Sequence, residues 1–211
     1  MNLALFDFDG TITFGDSFTP FLRFAVAPKR IRTGRFVLAP VIVGYKLGIV
    51  SESAARETAV GFGFRGVREA DVRRAGLAYA TDVLPRAVRP QALERIHWHK
   101  AQGDVVVVVS ASLDVYLAEW CRGLALELIC TELEAKDGFL TGRFRHGDCT
   151  GHEKSRRIID KYKLETYPVI YAYGDTPADD AMLSLAHRKY FRWRELPGYA
   201  RSSDDRVAPG N

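Results

Sequence analysis

Short runs of apolar residues, each followed by a polar residue, predict the strands of a buried sheet. Three runs and the residues that close them are 3–6 with Asp7, the five valines 105–109 with Ser110, and 169–173 with Gly174 and Asp175. β-Branched and aromatic residues are typical of central parallel strands that are covered on both faces. Residues 126–130 predict a further strand, and 132–144, with Asp-Gly in its middle, predicts a hairpin.

Helical patterns alternate with these strands. Residues 113–121 follow Ser112, a predicted N-cap, while 152–162 and 180–186 predict two further helices. This alternation indicates an α/β fold with a mostly parallel sheet. In such sheets ligands bind beyond the carboxyl ends of the strands, which is where the polar closing residues stand.

The chain between the first strand and the valine strand shows no strand pattern. Residues 16–89 predict several helices, interrupted at Pro28, Pro40, 61–66 and Pro85. The run 61–66 fits the dinucleotide pattern GxGxxG, but it follows a predicted helix instead of a strand. We therefore interpret it as a glycine-rich loop.

The length of this helical stretch exceeds the single helix of an ordinary crossover between parallel strands, and it predicts an insertion. Residues 1–15 and 90–199 are expected to form an α/β core, and 16–89 an inserted all-helical cap. Residues 200–211, rich in Ser, Asp, Arg, Pro and Gly, predict a flexible tail.

The composition of the chain mainly argues against certain classes of function. The chain is 47% apolar and 27% charged, as a packed globular protein is, and its net charge of +4 favours anionic ligands without predicting a nucleic-acid partner. Three irregularly spaced cysteines predict reduced thiols. With no secretory signal pattern and no run of about 20 apolar residues, we expect a cytoplasmic protein.

Two carboxylates stand two residues apart at the predicted end of the first strand. Such a pair suits phosphoryl transfer, with Asp7 as the nucleophile and Asp9 as the group that protonates the leaving oxygen and later activates water. Two anions facing a phosphate call for Mg²⁺, for which Asp175 is a predicted ligand and Asp179 a supporting residue. An Asp-Gly pair alone equally fits an ordinary turn.

A hydroxyl, backbone amides and a lysine complete the predicted site. Ser110 and the amides of 111–113, near a predicted helix start, are suited to phosphate, and Lys154 would add positive charge. Taken separately, Ser110 or Ser112 fits a helix cap, and Lys154 fits a surface lysine.

These segments resemble, in the same order, the four motifs of the haloacid dehalogenase superfamily of phosphatases. Asp-x-Asp-Gly-Thr at 7–11 matches the first motif, Ser110 the second, Lys154 the third, and Gly-Asp-x-x-x-Asp at 174–179 the fourth. The resemblance implies a Rossmann-like core with a helical cap and an aspartyl-phosphate intermediate.

The resemblance also implies roles for individual residues. Asp7 is the implied nucleophile and Asp9 the general acid and base. Mg²⁺ would be held by the Asp7 side chain, the Asp9 main-chain carbonyl and Asp175. The residues expected to bind phosphate are Ser110, Lys154, Gly10, Thr11 and Ala111.

A helical cap after the first motif is similar to that of phosphoserine phosphatases, so the expected substrate is a small phosphorylated metabolite such as phosphoserine. Asp16 stands where those enzymes carry a glutamate that helps hold the substrate amine, although it also suits a helix cap. Ala178 replaces their usual asparagine, and 149–154 looks like phosphatidylglycerophosphatase-type members. A lipid phosphatase and a phosphotransferase using the same intermediate therefore remain alternatives.

Four basic residues precede the apolar stretch 36–45, with no acid among them: Lys29, Arg30, Arg32 and Arg35. Such a segment suits peripheral contact with an anionic membrane. We favour the alternative that it packs within the cap or against a second subunit, since cap helices need an apolar face. A binding role on an inactive phosphatase fold fits less well, because the set of chemical residues is intact. The sequence leaves the oligomeric state open.

Overall fold

The computed structural model describes residues 1–197, so the predicted tail at 200–211 lies outside the described residues. The strands are β1 Leu3–Phe6, β2 Val105–Leu113, β3 Glu127–Thr131, β4 Leu133–Lys136, β5 Phe139–Phe144, β6 Ile170–Gly174, β7 Arg188–Phe191 and β8 Arg194–Glu195. The helices are α1 Phe18–Ala25, α2 Pro28–Val37, α3 Ala39–Lys46, α4 Glu52–Phe64, α5 Glu69–Asp82, α6 Leu84–Ala87, α7 Pro90–Ala101, α8 Asp114–Leu124, α9 His152–Lys161 and α10 Asp180–Ser184.

A six-stranded sheet in the order β3-β2-β1-β6-β7-β8 forms the centre, and β4 and β5 form a separate hairpin. Within the six-stranded sheet the pairs are parallel except for β7 with β8. Alternate residues of β1 serve opposite faces: Ala4 and Phe6 join one buried cluster, and Leu3 and Leu5 the other. The structure confirms the predicted α/β fold with a mostly parallel, doubly covered sheet.

The order of the strands changes direction at β1. β2 and β3 lie on one side of it, and β6 and β7 on the other. Asp7 directly follows β1, and Asp175 directly follows β6, its neighbour across this point. A switch point of this kind leaves a crevice outside the carboxyl ends of the strands. The fold therefore brings the two carboxylates to one place.

The helix predicted after Ser112 is present as α8, but it begins one residue later than predicted, and Ser112 is not its N-cap. β2 continues through an irregularity after Ser110 as far as Leu113, which pairs with Thr131 of β3. α8 begins only at Asp114, and Ser112 lies fully buried inside the strand. Its side chain is therefore available to the site and caps no helix.

Helices α1–α6, called here the helical segment, lie between β1 and β2 along the chain. The predicted breaks at prolines mark helix starts: Pro28 is the first residue of α2, and Pro40 and Pro85 are the second residues of α3 and α6. The division of the chain into a core and an inserted cap remains a proposal.

The predicted glycine-rich loop at 61–66 is wrong, because α4 runs through Gly61 and Gly63 to Phe64. A Cβ at Gly61 would lie 3.3 Å from the carbonyl oxygen of Gly142, and one at Gly63 would lie 2.8 Å from Val26. These glycines allow close packing of the helix against its neighbours, and they do not interrupt it.

Helices α2 and α3 bury little of their own apolar surface. The buried residue in each is a glycine, Gly34 in α2 and Gly44 in α3. Phe36 is 81% exposed and Ile42 47% exposed, so the predicted packing of this stretch within the cap is wrong for such side chains. Packing against a second subunit remains a prediction. Within residues 1–197, no helix is long and apolar enough to cross a membrane.

Candidate active site

A buried ion-pair cluster lies at the carboxyl end of β1. Lys154 Nζ donates to Asp7 Oδ1 at 2.5 Å and to Asp179 Oδ1 at 2.6 Å. The Lys154 side chain is only 3% exposed. Burial opposes its charge, but the two carboxylates outweigh burial and raise the pKa of Lys154. The ammonium group is therefore charged inside the protein.

Asp7 is held by its backbone and by this lysine. Its amide donates to the carbonyl oxygen of Tyr173 at 2.9 Å, which fixes the residue at the end of the sheet. Burial raises the pKa of Asp7 to about 7, against the opposing effect of Lys154. Of the two carboxylate oxygens of Asp7, Oδ1 accepts the hydrogen bond from Lys154, and Oδ2 accepts none from the described residues. Oδ2 is therefore available for attack.

Asp9 is oriented by donors from two different parts of the chain. The amide of Ser17 donates to Oδ1 at 2.7 Å, and the hydroxyl of Ser112 donates to Oδ2. Tyr116 completes the network through a 3.0 Å hydrogen bond to the Ser17 hydroxyl. Burial raises the pKa of Asp9, and the two serines act in the opposite direction. A carboxyl group that stays protonated to higher pH is suited to general acid catalysis.

The turn after β6 positions Asp175 and Asp179. Asp179 Oδ2 accepts the amides of Asp175 and Thr176, each at 3.1 Å. Thr11 Oγ1 donates to Asp175 Oδ1 at 3.2 Å. Gly10 has a φ of +84°, and a Cβ there would collide with the Asp175 carboxylate. Glycine is therefore required at position 10 by both its conformation and its neighbour.

The residues present fit a divalent cation. Carboxylate oxygens of Asp7, Asp175 and Asp179 lie within 4.8 Å of one another. Three carboxylates against the one ammonium of Lys154 leave an excess of negative charge, and oxygen is the donor that Mg²⁺ prefers. Both oxygens of Asp179 are already bonded, which leaves Asp7 and Asp175 as the side chains free to bind metal.

A cavity of about 840 Å³ opens over this edge of the sheet. It brings together eight of the sequence-predicted site residues, which are Asp7, Asp9, Gly10, Asp16, Ser110, Ala111, Lys154 and Asp175. Thr11 and Asp179 are not among its lining residues, and both instead contact Asp175. The predicted role of Thr11 in phosphate binding remains a prediction, and its observed contact is with a predicted metal ligand.

Ser110 lies at the inner end of the cavity. It is 1% exposed, and its hydroxyl oxygen accepts the Ser112 amide at 3.0 Å. The hydroxyl hydrogen of Ser110 remains to be donated to an oxygen in the cavity. The Ser112 amide is already used within the protein, so it does not extend the predicted phosphate cradle.

Asp16 has the helix-capping contacts that the sequence allowed. Its two carboxylate oxygens accept the amides of Phe18 at 2.9 Å and Thr19 at 3.1 Å, at the start of α1. The residue also borders the cavity. The capping interpretation is confirmed, and a contact with substrate remains a prediction.

Lys154 reaches the site because the loop before α9 is anchored. Thr131 donates to Asp148 Oδ1 at 2.8 Å and accepts the amide of Cys149 at 2.9 Å. Arg56 lies 3.2 Å from the other oxygen of Asp148. These contacts fix the first turn of α9, from which Lys154 extends into the cluster.

Sequence reasoning missed the residues of α4 that line the cavity: Glu52, Ala55 and Arg56. Arg56 also donates to the carbonyl oxygen of Ala111 at 2.5 Å, which links α4 to the end of β2. The spacing i, i+3, i+4 places these residues on one face of the helix and was the available signal. Which face meets the site depends on how α4 packs, and the sequence pattern does not carry that information.

The acidic cluster and the buried lysine lie at the switch point of a mostly parallel α/β sheet, where such folds bind their ligands. The profile of the haloacid dehalogenase-like hydrolases matches residues 4–184. The chain belongs to this family. Protein CicA of Caulobacter vibrioides is 32% identical over 196 residues, covering 90% of this chain and 85% of CicA.

Solved structures share the same fold. A Bordetella pertussis protein of unknown function superposes with a TM-score of 0.76 at 23% identity, covering 90% of this chain and 88% of that one. A substrate-bound phosphoserine phosphatase complex has a TM-score of 0.64 at 22% identity, covering 90% of this chain and 85% of that one. At these identities the likeness extends to the fold alone.

Proposed function

We propose that this protein is a Mg²⁺-dependent phosphomonoester hydrolase that works through an aspartyl-phosphate at Asp7. One observation carries the proposal: Lys154 binds one oxygen of Asp7 and leaves the other free, in a cavity that Asp9 and Ser110 also line. A buried carboxylate with a cation on its far oxygen is oriented for nucleophilic attack.

In the first half of the reaction, Asp7 Oδ2 forms a bond to phosphorus while the bond from phosphorus to the leaving oxygen breaks. Asp9 donates its proton to that oxygen, and burial supports this role by raising the pKa of Asp9. Ser110 and Lys154 donate hydrogen bonds to the phosphoryl oxygens, where negative charge must be stabilised.

In the second half, Asp9 is ionised and accepts a proton from water. The water oxygen bonds to phosphorus, the bond from phosphorus to Asp7 breaks, and inorganic phosphate leaves. Asp7 is released as a carboxylate, whose charge Lys154 stabilises at 2.5 Å. The hydrogen bonds from Ser17 and Ser112 hold the Asp9 carboxylate in one orientation during this step.

Mg²⁺, when bound, neutralises the negative charge of the nucleophile and of the phosphate. The side chains of Asp7 and Asp175 and the main-chain carbonyl of Asp9 would hold it. Thr11 and Asp179 keep Asp175 in position through its side chain and its amide. The role of the protein is to present these oxygens in a fixed arrangement.

The outer part of the cavity supports a small, charged leaving group. Asp16 before α1 and Glu52 and Arg56 of α4 border the cavity, and these residues include both signs of charge. The fold shared with phosphoserine phosphatases supports a metabolite such as phosphoserine. We propose that the helical segment covers the site as a cap and excludes bulk water. Three cysteines, all buried and unbridged, support a reducing, cytoplasmic setting.

The test is phosphate release from phosphoserine, sugar phosphates, nucleotides and phosphatidylglycerophosphate, with and without Mg²⁺. We expect turnover that requires Mg²⁺ and that Asp7→Asn abolishes, while Asp82→Asn on the exposed end of α5 retains it. Added alcohols would divert the phosphoryl group if the enzyme were a phosphotransferase, and a preferred lipid would replace the metabolite assignment. Full turnover by folded Asp7→Asn would refute the proposed nucleophile.

A further inference from the structure

The exposed apolar surface of this protein is concentrated in one short stretch of chain. Of the fifteen large hydrophobic side chains exposed in residues 1–197, seven lie between Phe36 and Ile49. Six of them define what we call the α2–α3 face: Phe36, Val37, Ile42, Val43, Leu47 and Ile49. Scattered apolar residues are normal on a protein surface, whereas a concentration of exposed apolar residues in one short stretch is typical of a binding surface.

The buried glycine of α2 shows which way Arg32 and Phe36 point. A Cβ at Gly34 would lie 2.8 Å from the ring of Phe62 in α4, so the Gly34 side of α2 packs against the rest of the helical segment. Residues two positions away on a helix lie about 200° around the axis. Arg32 and Phe36 therefore project from α2 on the side opposite its packed side.

In α3, too, a buried glycine lies opposite an apolar residue and a basic residue. Gly44 is buried, and a Cβ there would lie 2.7 Å from Val50. Ile42 and Lys46, two positions before and after it, lie on the opposite side of that helix. Arg32 and Phe36 of α2 are exposed, and so are Ile42 and Lys46 of α3.

The charge around this face has one sign. From Ser17 to Ser51 the chain has no acidic residue and six basic ones, which are Arg23, Lys29, Arg30, Arg32, Arg35 and Lys46. Arg30 is bonded to the carbonyl oxygens of Gly63 and Arg65, and it serves the packing of the segment. The other five are exposed, and none forms an ion pair with an acid of the described chain.

We propose that the α2–α3 face docks peripherally on an anionic lipid surface. Apolar side chains enter the boundary between headgroups and acyl chains, and Lys29, Arg32, Arg35 and Lys46 contact the acidic headgroups. A second copy of the chain is the poorer occupant, because a symmetric contact would bring two acid-free basic clusters together. Tyr45, between Val43 and Lys46, borders the active-site cavity, so docking brings the cavity mouth to the lipid surface.

The test is co-sedimentation of the full chain with vesicles of equal parts phosphatidylglycerol and phosphatidylcholine, beside vesicles of phosphatidylcholine alone. The wild-type protein is expected to bind the anionic vesicles, and to bind them less as salt is added. The triple variant Phe36→Ser/Leu47→Ser/Ile49→Ser and the triple variant Lys29→Gln/Arg32→Gln/Arg35→Gln should each bind at least tenfold more weakly, since one basic residue contributes roughly fivefold in partitioning.

Matched controls remove the same chemistry elsewhere on the surface. Leu77→Ser/Ile159→Ser and Lys136→Gln/Arg143→Gln/Lys163→Gln replace exposed side chains, and they should bind vesicles as the wild type does. Unchanged thermal midpoints of the variants show that they are folded. Asp7→Asn should also bind normally, which separates failure of docking from failure of the proposed reaction.

Absence of wild-type binding to the anionic vesicles would overturn the proposal, and so would binding by both surface variants at the wild-type level. Sedimentation velocity supplies a further outcome against it. A wild-type dimer that becomes monomeric in the Phe36→Ser/Leu47→Ser/Ile49→Ser variant would assign the face to a second copy of the chain.

Discussion

The carboxyl edge of the sheet and the α2–α3 face differ in whether their charged residues are paired and in whether their side chains are buried. At the edge, Lys154 and Asp179 are almost fully buried, and each has a partner of opposite charge. On the face, Phe36 is 81% exposed, and the basic residues have no acidic partner in the described chain. At the edge, the buried charges of Lys154, Asp7 and Asp179 are paired within the fold. The face is open, and its chemistry calls for something outside the chain.

The largest expected effect is a loss of activity at the carboxyl edge that leaves the α2–α3 face unchanged. Asp7→Asn removes the nucleophile with little change of shape, and we expect kcat to fall by about 1,000-fold or more. Vesicle binding and the circular dichroism melting curve should stay as in the wild type. Loss of vesicle binding in this variant would show that the edge and the face are coupled, contrary to the comparison.

Lys154→Met tests whether the edge is held together by the ammonium group of Lys154. Removing it leaves the carboxylates of Asp7 and Asp179 buried without a counter-charge, which should cost about 3–5 kcal/mol of unfolding free energy. The exposed Lys163→Met is the matched control, and chemical denaturation measures both. Equal stability of the two variants would mean that the ion pairs contribute nothing.

The same variant should also change the pH dependence of the reaction. Lys154 lowers the pKa of Asp7 against the effect of burial, so its loss raises that pKa further. Attack needs Asp7 in its ionised form, which predominates above this pKa. The acid limb of the kcat/KM profile should therefore move to higher pH, and a shift to lower pH would contradict the assignment.

Much of the edge could be predicted from the sequence, because local patterns determine it. An apolar run that stops at an aspartate predicts the end of a strand. The carboxyl ends of neighbouring parallel strands lie at one edge of the sheet, independently of the loops that connect them. Asp7, Ser110 and Asp175 were found in this way. The burial of Lys154 was not apparent from its basic helix, since it depends on the anchoring of the loop before α9 by contacts from Thr131 and Arg56.

The helical segment was predicted less well, because tertiary packing decides its details. Gly61 and Gly63 resembled a loop, yet both lie within α4, where they let Gly142 and Val26 approach closely. The apolar stretch 36–45 suggested interior packing, and the buried contacts of α2 and α3 instead use Gly34 and Gly44. An apolar pattern alone does not reveal which side of a helix meets the protein.

A smaller effect is expected at Gly10. Gly10→Ala places a side chain at a φ of +84°, which should cost about 1–2 kcal/mol, and it displaces the Asp175 carboxylate. The Mg²⁺ concentration for half-maximal activity should rise by about 10- to 100-fold. Gly15→Ala is the control, because a Cβ there has open space around it. An unchanged Mg²⁺ requirement in Gly10→Ala would argue against Asp175 as a ligand.

The smallest predicted effect lies at Ser112, which contacts Asp9 from within β2. The hydrogen bond from Ser112 lowers the pKa of Asp9, so Ser112→Ala should raise that pKa and leave a smaller fraction of Asp9 ionised to accept a proton from water. We expect kcat to fall about tenfold, the contribution of one hydrogen bond to a charged group. Ser184→Ala, at the exposed last residue of α10, should leave kcat unchanged. A fall of equal size in both variants would remove the specific role of Ser112.

The central claim, covalent catalysis at Asp7, is tested most directly by trapping the intermediate. Asp9→Asn cannot activate water, whereas p-nitrophenolate leaves without help from an acid, so phosphoenzyme should accumulate with p-nitrophenyl phosphate and Mg²⁺. Acid quenching and mass spectrometry should then find one phosphoryl group on the peptide that contains Asp7, removable by hydroxylamine. One equivalent of p-nitrophenolate released without such a label, or a label on another residue, would contradict the account.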